Sequence, residues 1–133
     1  TSDAFALEHI CLCGITACPP SPEIHKSALG AEDAIEWSYC QNTLDAVRSL
    51  QEKGYSVLAV EQAEGAVCLT DFHPGKDKKT ALVFGNEVRG VTQEVVDACD
   101  GCIEIPQHGT KHSLNVSVAI GVVLWHCYLT IKV

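Results

Sequence analysis

Basic residues are scarce in this chain of 133 residues: 9 lysines and arginines stand against 17 aspartates and glutamates, a formal net charge of −8. Nucleic-acid-binding domains are usually basic, so this balance weighs against a DNA- or RNA-binding role for the chain as given. No apolar run is long enough to cross a bilayer. The longest, Val116 to Leu129, is broken by Ser117, Gly121 and His126 and reads as a buried core element. No signal-peptide pattern is visible. Neither a GxGxxG fingerprint nor a P-loop occurs, so neither of those two phosphate cradles is present. Internal repeats and low-complexity tracts are lacking. Methionine does not stand first; the chain opens at Thr1, and an upstream part is expected to be missing.

What is present describes a folded enzyme-sized unit. Hydrophobic residues make up 47% and charged residues 20%, which excludes a disordered chain. The length suits one domain over residues 1–133 with its own core. The 8 cysteines invite a disulfide reading. Cys11, Cys13, Cys68 and Cys127 lie inside apolar runs, however, where a free thiol behaves as a small hydrophobe. A reduced, cytoplasmic setting is therefore expected. Cys99-Asp100-Gly101-Cys102 has zinc-knuckle spacing, but no second pair answers it, and no metal is expected. Cys11 and Cys13 share one face of a strand, and are read as two core thiols.

Taken in order, His9 to Ile15 reads as a buried strand and the proline-rich Thr16 to Pro22 as a loop. A turn of helix is expected within Lys26 to Asp33, and a strand over Ile35 to Cys40. Asn42 to Lys53 is the clearest helix, capped by Asn42, striped by Leu44, Val47 and Leu50, and stopped by Gly54. Strands follow at Tyr55 to Val60, Ala66 to Thr70 and Thr80 to Phe84. Thr92 is expected to cap a helix ending near Cys99, Cys102 to Ile105 is the last strand, and a long helix closes the chain. The alternation predicts an α/β fold with a mostly parallel sheet. Ligands of such sheets lie beyond the carboxyl ends of the strands. Three loops leave those ends: after Val60, at Gly85 to Gly90, and at Pro106 to Ser113.

Those loops carry the candidate chemistry. Glu87 lies in the second, as a catalytic carboxylate or as an acceptor for loop N–H groups. In the third, Ser113 and Asn115 flank Leu114 where a helix begins; the unpaired N–H groups of a helix start favour electron-rich ligand atoms. Taken alone, Ser113 reads as a simple cap. His108 and His112 have helical metal-pair spacing but sit in a glycine-containing loop with no third ligand. A Ser–His hydrolase is discounted, because no nucleophile elbow surrounds Ser113. The basic stretch Lys76 to Lys79 reads as a solvated loop before a strand.

Two passages together are more specific. Leu82-Val83-Phe84-Gly85-Asn86-Glu87-Val88-Arg89-Gly90-Val91 resembles the second motif of the SpoU (TrmH-like) RNA ribose 2′-O-methyltransferases. Ile105-Pro106-Gln107-His108-Gly109, with Ser113-Leu114-Asn115-Val116-Ser117-Val118-Ala119, resembles their third. Gly14 to Pro20 and Lys26 to Ala31 are similar to a subset of the same family.

The resemblance implies the SPOUT fold, α/β with a deep trefoil knot near the C-terminus. It implies S-adenosylmethionine as cofactor, its adenine against the backbone around Val60, Gly85, Ile105 and Leu114. Glu87, Ser113 and Asn115 match the family's active-site positions. It further implies an RNA substrate, tRNA or rRNA, and a homodimer. The family's first motif, an asparagine followed by an arginine, would precede Thr1 and is absent from these residues. Arg89 does not match that arginine, so cofactor binding without methyl transfer is expected if the chain begins at Thr1. The alternative reading is a non-catalytic RNA- or cofactor-binding homologue.

Overall fold

The computed structural model describes residues 1–86, 88–110 and 113–132. It forms two compact units, Thr1–Ala46 and Val47–Val133. In the first, β1 (Ile10–Cys13) pairs in parallel with β2 (Trp37–Cys40), Cys13 opposite Cys40. The loop after β1 is tied down by Tyr39, whose hydroxyl donates to the Gly14 carbonyl at 2.6 Å. Between the strands lies α1 (Pro22–Ala28). This helix starts earlier than the expected turn: Ser21 is its N-cap and Pro22 occupies the first turn, where a missing N–H costs nothing. His25 Nδ1 meets Glu32 Oε1 at 2.5 Å, which raises the histidine pKa and lowers that of the carboxyl.

The unit boundary falls within α2 (Thr43–Glu52). Asn42 caps this helix as expected, its Oδ1 accepting from Leu44 N–H at 2.8 Å.

The second unit is a four-stranded sheet in the order β4-β6-β3-β5. Its strands are β3 (Ser56–Val60), β4 (Val67–Cys68), β5 (Thr80–Phe84) and β6 (Gly101–Glu104), and every pairing is parallel. The parallel α/β expectation therefore holds, with the strands divided between two sheets. Asp100 steadies the amino end of β3: its Oδ2 accepts from Val57 N–H at 2.8 Å, and its own N–H donates to the Val57 carbonyl. The short helix α3 (Gln93–Ala98) buries Val95. Thr92 stands at its N-cap position, but its side chain makes no capping hydrogen bond.

The closing helix α4 spans Val116–Lys132. Val123 enters a cluster with Leu69 and Ile103, flanked by Leu58, Val60, Leu82, Phe84, Ile105 and Cys127. His126 Nε2 meets the Phe72 carbonyl at 2.7 Å. All eight cysteines are free thiols. Cys11 is exposed, contrary to its core assignment, while Cys13, its Sγ 3.8 Å from that of Cys11, is half-buried. Burial is the main cause of the raised pKa of Cys13, about 11, with neighbouring Cys11 second. No described helix is long and apolar enough to cross a membrane. Among the described residues no group of three or more His, Cys, Asp or Glu is arranged to hold a metal ion.

Candidate functional site

Parallel strands send all their carboxyl ends to one edge of the sheet. Val60 ends β3 opposite Phe84 of β5 and Ile103 of β6. Gly85 follows Phe84 directly, and Ile105 comes two residues after Ile103, so Val60, Gly85 and Ile105 leave from the same edge. Their separation in sequence hides this; the register creates it. The side chains of Val60 and Ile105 pack into the core cluster, which leaves their backbone as the part available to a ligand at that edge.

The Gly85 to Val91 loop is closed tightly on itself. Asn86 Oδ1 accepts from Val88 N–H at 2.9 Å and Arg89 N–H at 2.7 Å, an Asx turn. Gly90 N–H returns to the Asn86 carbonyl at 3.0 Å. A Cβ at Gly85 would overlap the backbone of Gly90 and Val91, so only glycine permits this approach. Glu61 anchors the loop's far end, Oε2 accepting from Val91 N–H at 2.9 Å. Glu87 lies outside the described residues, as does His112.

The third loop meets α4 at Asn115, and here the structure corrects the simple-cap reading of Ser113. Asn115 is the cap: its Oδ1 accepts from Ser117 N–H at 2.9 Å and Ser117 Oγ–H at 2.6 Å. Its amide N–H2 has no partner among the described residues, and neither has the exposed Ser113 hydroxyl. Leu114 is 37% exposed between them. The chain thus presents a small apolar surface and two polar groups without a partner among the described residues, just before a helix.

Sequence reasoning missed Glu61, and it named Asn86 and Gly90 in the second loop without their bracing roles. An acid directly after an apolar strand, and an Asn following a glycine at a turn, were the available signals. Lys76 to Lys79 precede β5 and so lie toward the amino edge of the sheet, opposite these loops; Lys79 Nζ sits 5.6 Å from the Tyr55 ring centre.

Comparison with known proteins places these features in context. The model of the SpoU rRNA Methylase family matches residues 1–125. A tRNA (guanosine(18)-2′-O)-methyltransferase of Thermus thermophilus is 43% identical over 82 residues, covering 61% of this chain and 41% of that protein. A 23S rRNA (guanosine-2′-O-)-methyltransferase of Ralstonia nicotianae is 34% identical over 103 residues, covering 77% and 40%. The solved structure of an AdoMet-bound rRNA methyltransferase from Sinorhizobium meliloti superimposes with a TM-score of 0.84 at 31% identity, over 94% of this chain and 47% of that one. The chain spans less than half of each of these proteins.

Proposed function

Because the chain belongs to the SpoU rRNA methylase family, we propose that it is the S-adenosylmethionine-dependent part of an enzyme that methylates a ribose 2′-hydroxyl in tRNA or rRNA. The observation that carries this reading is the meeting, at one sheet edge, of the backbone at Val60, Gly85 and Ile105. The backbone there and at Leu114 would hold the adenine. Ser113 and Asn115, with Glu87 by resemblance, would line the reacting end. The same reading includes the trefoil knot, a cytoplasmic setting and a homodimer.

When bound, the cofactor supplies an electrophilic methyl group on a sulfonium. The chain's residues supply position. Methyl transfer needs the ribose oxygen in line with that methyl, and holding two reactants in such geometry accounts for much of a rate enhancement. Asn115 suits this task because capping α4 fixes its rotamer, so its N–H2 group is presented in one direction. The Ser113 and Asn115 side chains are neutral and orient groups without taking up a proton at neutral pH.

Asn115→Asp separates cap from site. Aspartate caps as well as asparagine does, so stability should stay within about 0.5 kcal/mol. In a longer protein that carries the family's first motif ahead of Thr1, methylation of tRNA or rRNA transcripts should nevertheless fall by about 100-fold, because a donor group becomes a charged acceptor. Full activity of the variant would remove Asn115 from the site. Calorimetry showing no S-adenosylmethionine binding to the parent chain would sink the proposal itself.

Val118, Val122, Trp125 and Leu129 support the dimer. They fall on one face of α4 at helical spacing and are 53%, 40%, 50% and 39% exposed. A second copy of the chain, presenting the same face, would cover this stripe. Val118→Glu is expected to shift sedimentation toward the monomer at micromolar concentration without changing far-ultraviolet circular dichroism. An unchanged sedimentation coefficient would place the interface elsewhere.

A further inference from the structure

We infer that Glu61 is a positioning residue for the cofactor site: its carboxylate sets the shape of the Gly85 to Val91 loop. The inference rests on the reading of that site as the S-adenosylmethionine pocket and adds a residue that neither motif contains.

Glu61 is locked on both sides of its Cα. Its N–H donates to the Ile103 carbonyl at 3.0 Å, and its carbonyl accepts from Cys102 Sγ at 3.2 Å. The residue is thereby fastened to β6 at the carboxyl edge of the sheet. Its side chain then divides. Oε1 accepts from Gln62 N–H at 3.1 Å, which fixes the rotamer, and Oε2 accepts from Val91 N–H at 2.9 Å. Val91 is buried, so removing the carboxylate takes away the one protein acceptor its N–H has among the described residues.

The loop is shaped around this contact. Gly90 has φ of +62°, and a Cβ there would overlap Glu61 Oε2. Asn86 organises the start of the loop and Glu61 its end, and Gly85 packs on the backbone of Gly90 and Val91 at that end. Glu61 takes no part in the cluster of Leu69, Ile103 and Val123 that holds α4 to the sheet. Losing its carboxylate should therefore release the loop and leave the core intact. A released loop must be ordered again when the cofactor binds, and that cost appears as lost affinity.

The test compares the chain with Glu61→Ala and Glu61→Gln in three measurements: S-adenosylmethionine titration calorimetry, thermal unfolding, and hydrogen exchange at the Val91 amide. Glu61→Ala should raise the Kd on the order of tenfold or more, as expected for loss of a hydrogen bond to a charged acceptor. Val91 exchange should quicken by a similar factor. Glu61→Gln keeps one oxygen for Val91 and should recover most of both losses. An unchanged Kd in Glu61→Ala overturns the inference, whether or not the melting temperature falls, since a purely structural role would move only the latter. Should Glu61→Ala fail to fold, Glu61→Asp, whose carboxylate is one methylene short of Val91 N–H, takes its place: Kd and Val91 exchange must rise together or the inference is wrong. If the parent chain does not bind S-adenosylmethionine, the site reading fails, while Val91 exchange still reports whether Glu61 shapes the loop.

Discussion

Gly85→Ala should reduce S-adenosylmethionine affinity by about 100-fold or more, roughly 2.7 kcal/mol. The reason is steric and lies in backbone atoms. An added Cβ would overlap the Gly90 carbonyl and the Val91 nitrogen, and neither can swing aside as a side chain would. Relief requires the loop to open. Opening pulls Val91 N–H off Glu61 and disturbs the turn held by Asn86. The change should also cost about 1–3 kcal/mol of stability, the usual range for forcing atoms into filled space. Calorimetry and urea denaturation read the two effects separately. A Kd within threefold of the parent would show that the close approach at Gly85 is not part of the cofactor site.

Ile103→Ala should be the most damaging single change to stability. Ile103 is 1% exposed and sits in β6, an inner strand between β4 and β3. Its side chain meets Leu69 and Val123 in the cluster beneath α4. Removing buried methyl and methylene groups there costs about 2–5 kcal/mol, against a typical total of about 5–15 kcal/mol for a domain. Ile103→Val, which deletes one methyl, should cost only about 0.5–1.5 kcal/mol. Urea denaturation midpoints in that order, at unchanged slope, would confirm the cavity account. A loss below about 1 kcal/mol for the alanine variant would show that the site collapses to fill the void.

Much of the fold was legible because local chemistry determines it. The strand at Thr80–Phe84 matches its expected limits, and β3 differs by one residue, since short apolar runs between turn signals leave few options. Asn42 and its helix followed from the cap, the apolar stripe and the Gly54 stop, all of them local signals. The start of α1 was misplaced because three prolines suggested only a loop, although Ser21-Pro22 is itself a helix start. At α4 the cap went to Asn115 instead of Ser113: which of two polar residues turns its oxygen to the helix depends on where the preceding loop lets the helix begin. Thr92 occupies an N-cap position without using its hydroxyl, a rotamer choice that residue type does not determine.

The sequence by itself determined the alternation of strands and helices, the three loops and their polar residues, and through two motifs the family. It did so because propensity, capping and motif spacing are properties of near neighbours. Only the tertiary structure decided that Val60, Gly85 and Ile105 lie on one edge, and that Glu61 braces a loop thirty residues away. Strand register and side-chain direction set those contacts. Both arise from packing across the sheet, where residues distant in sequence compete for the same space.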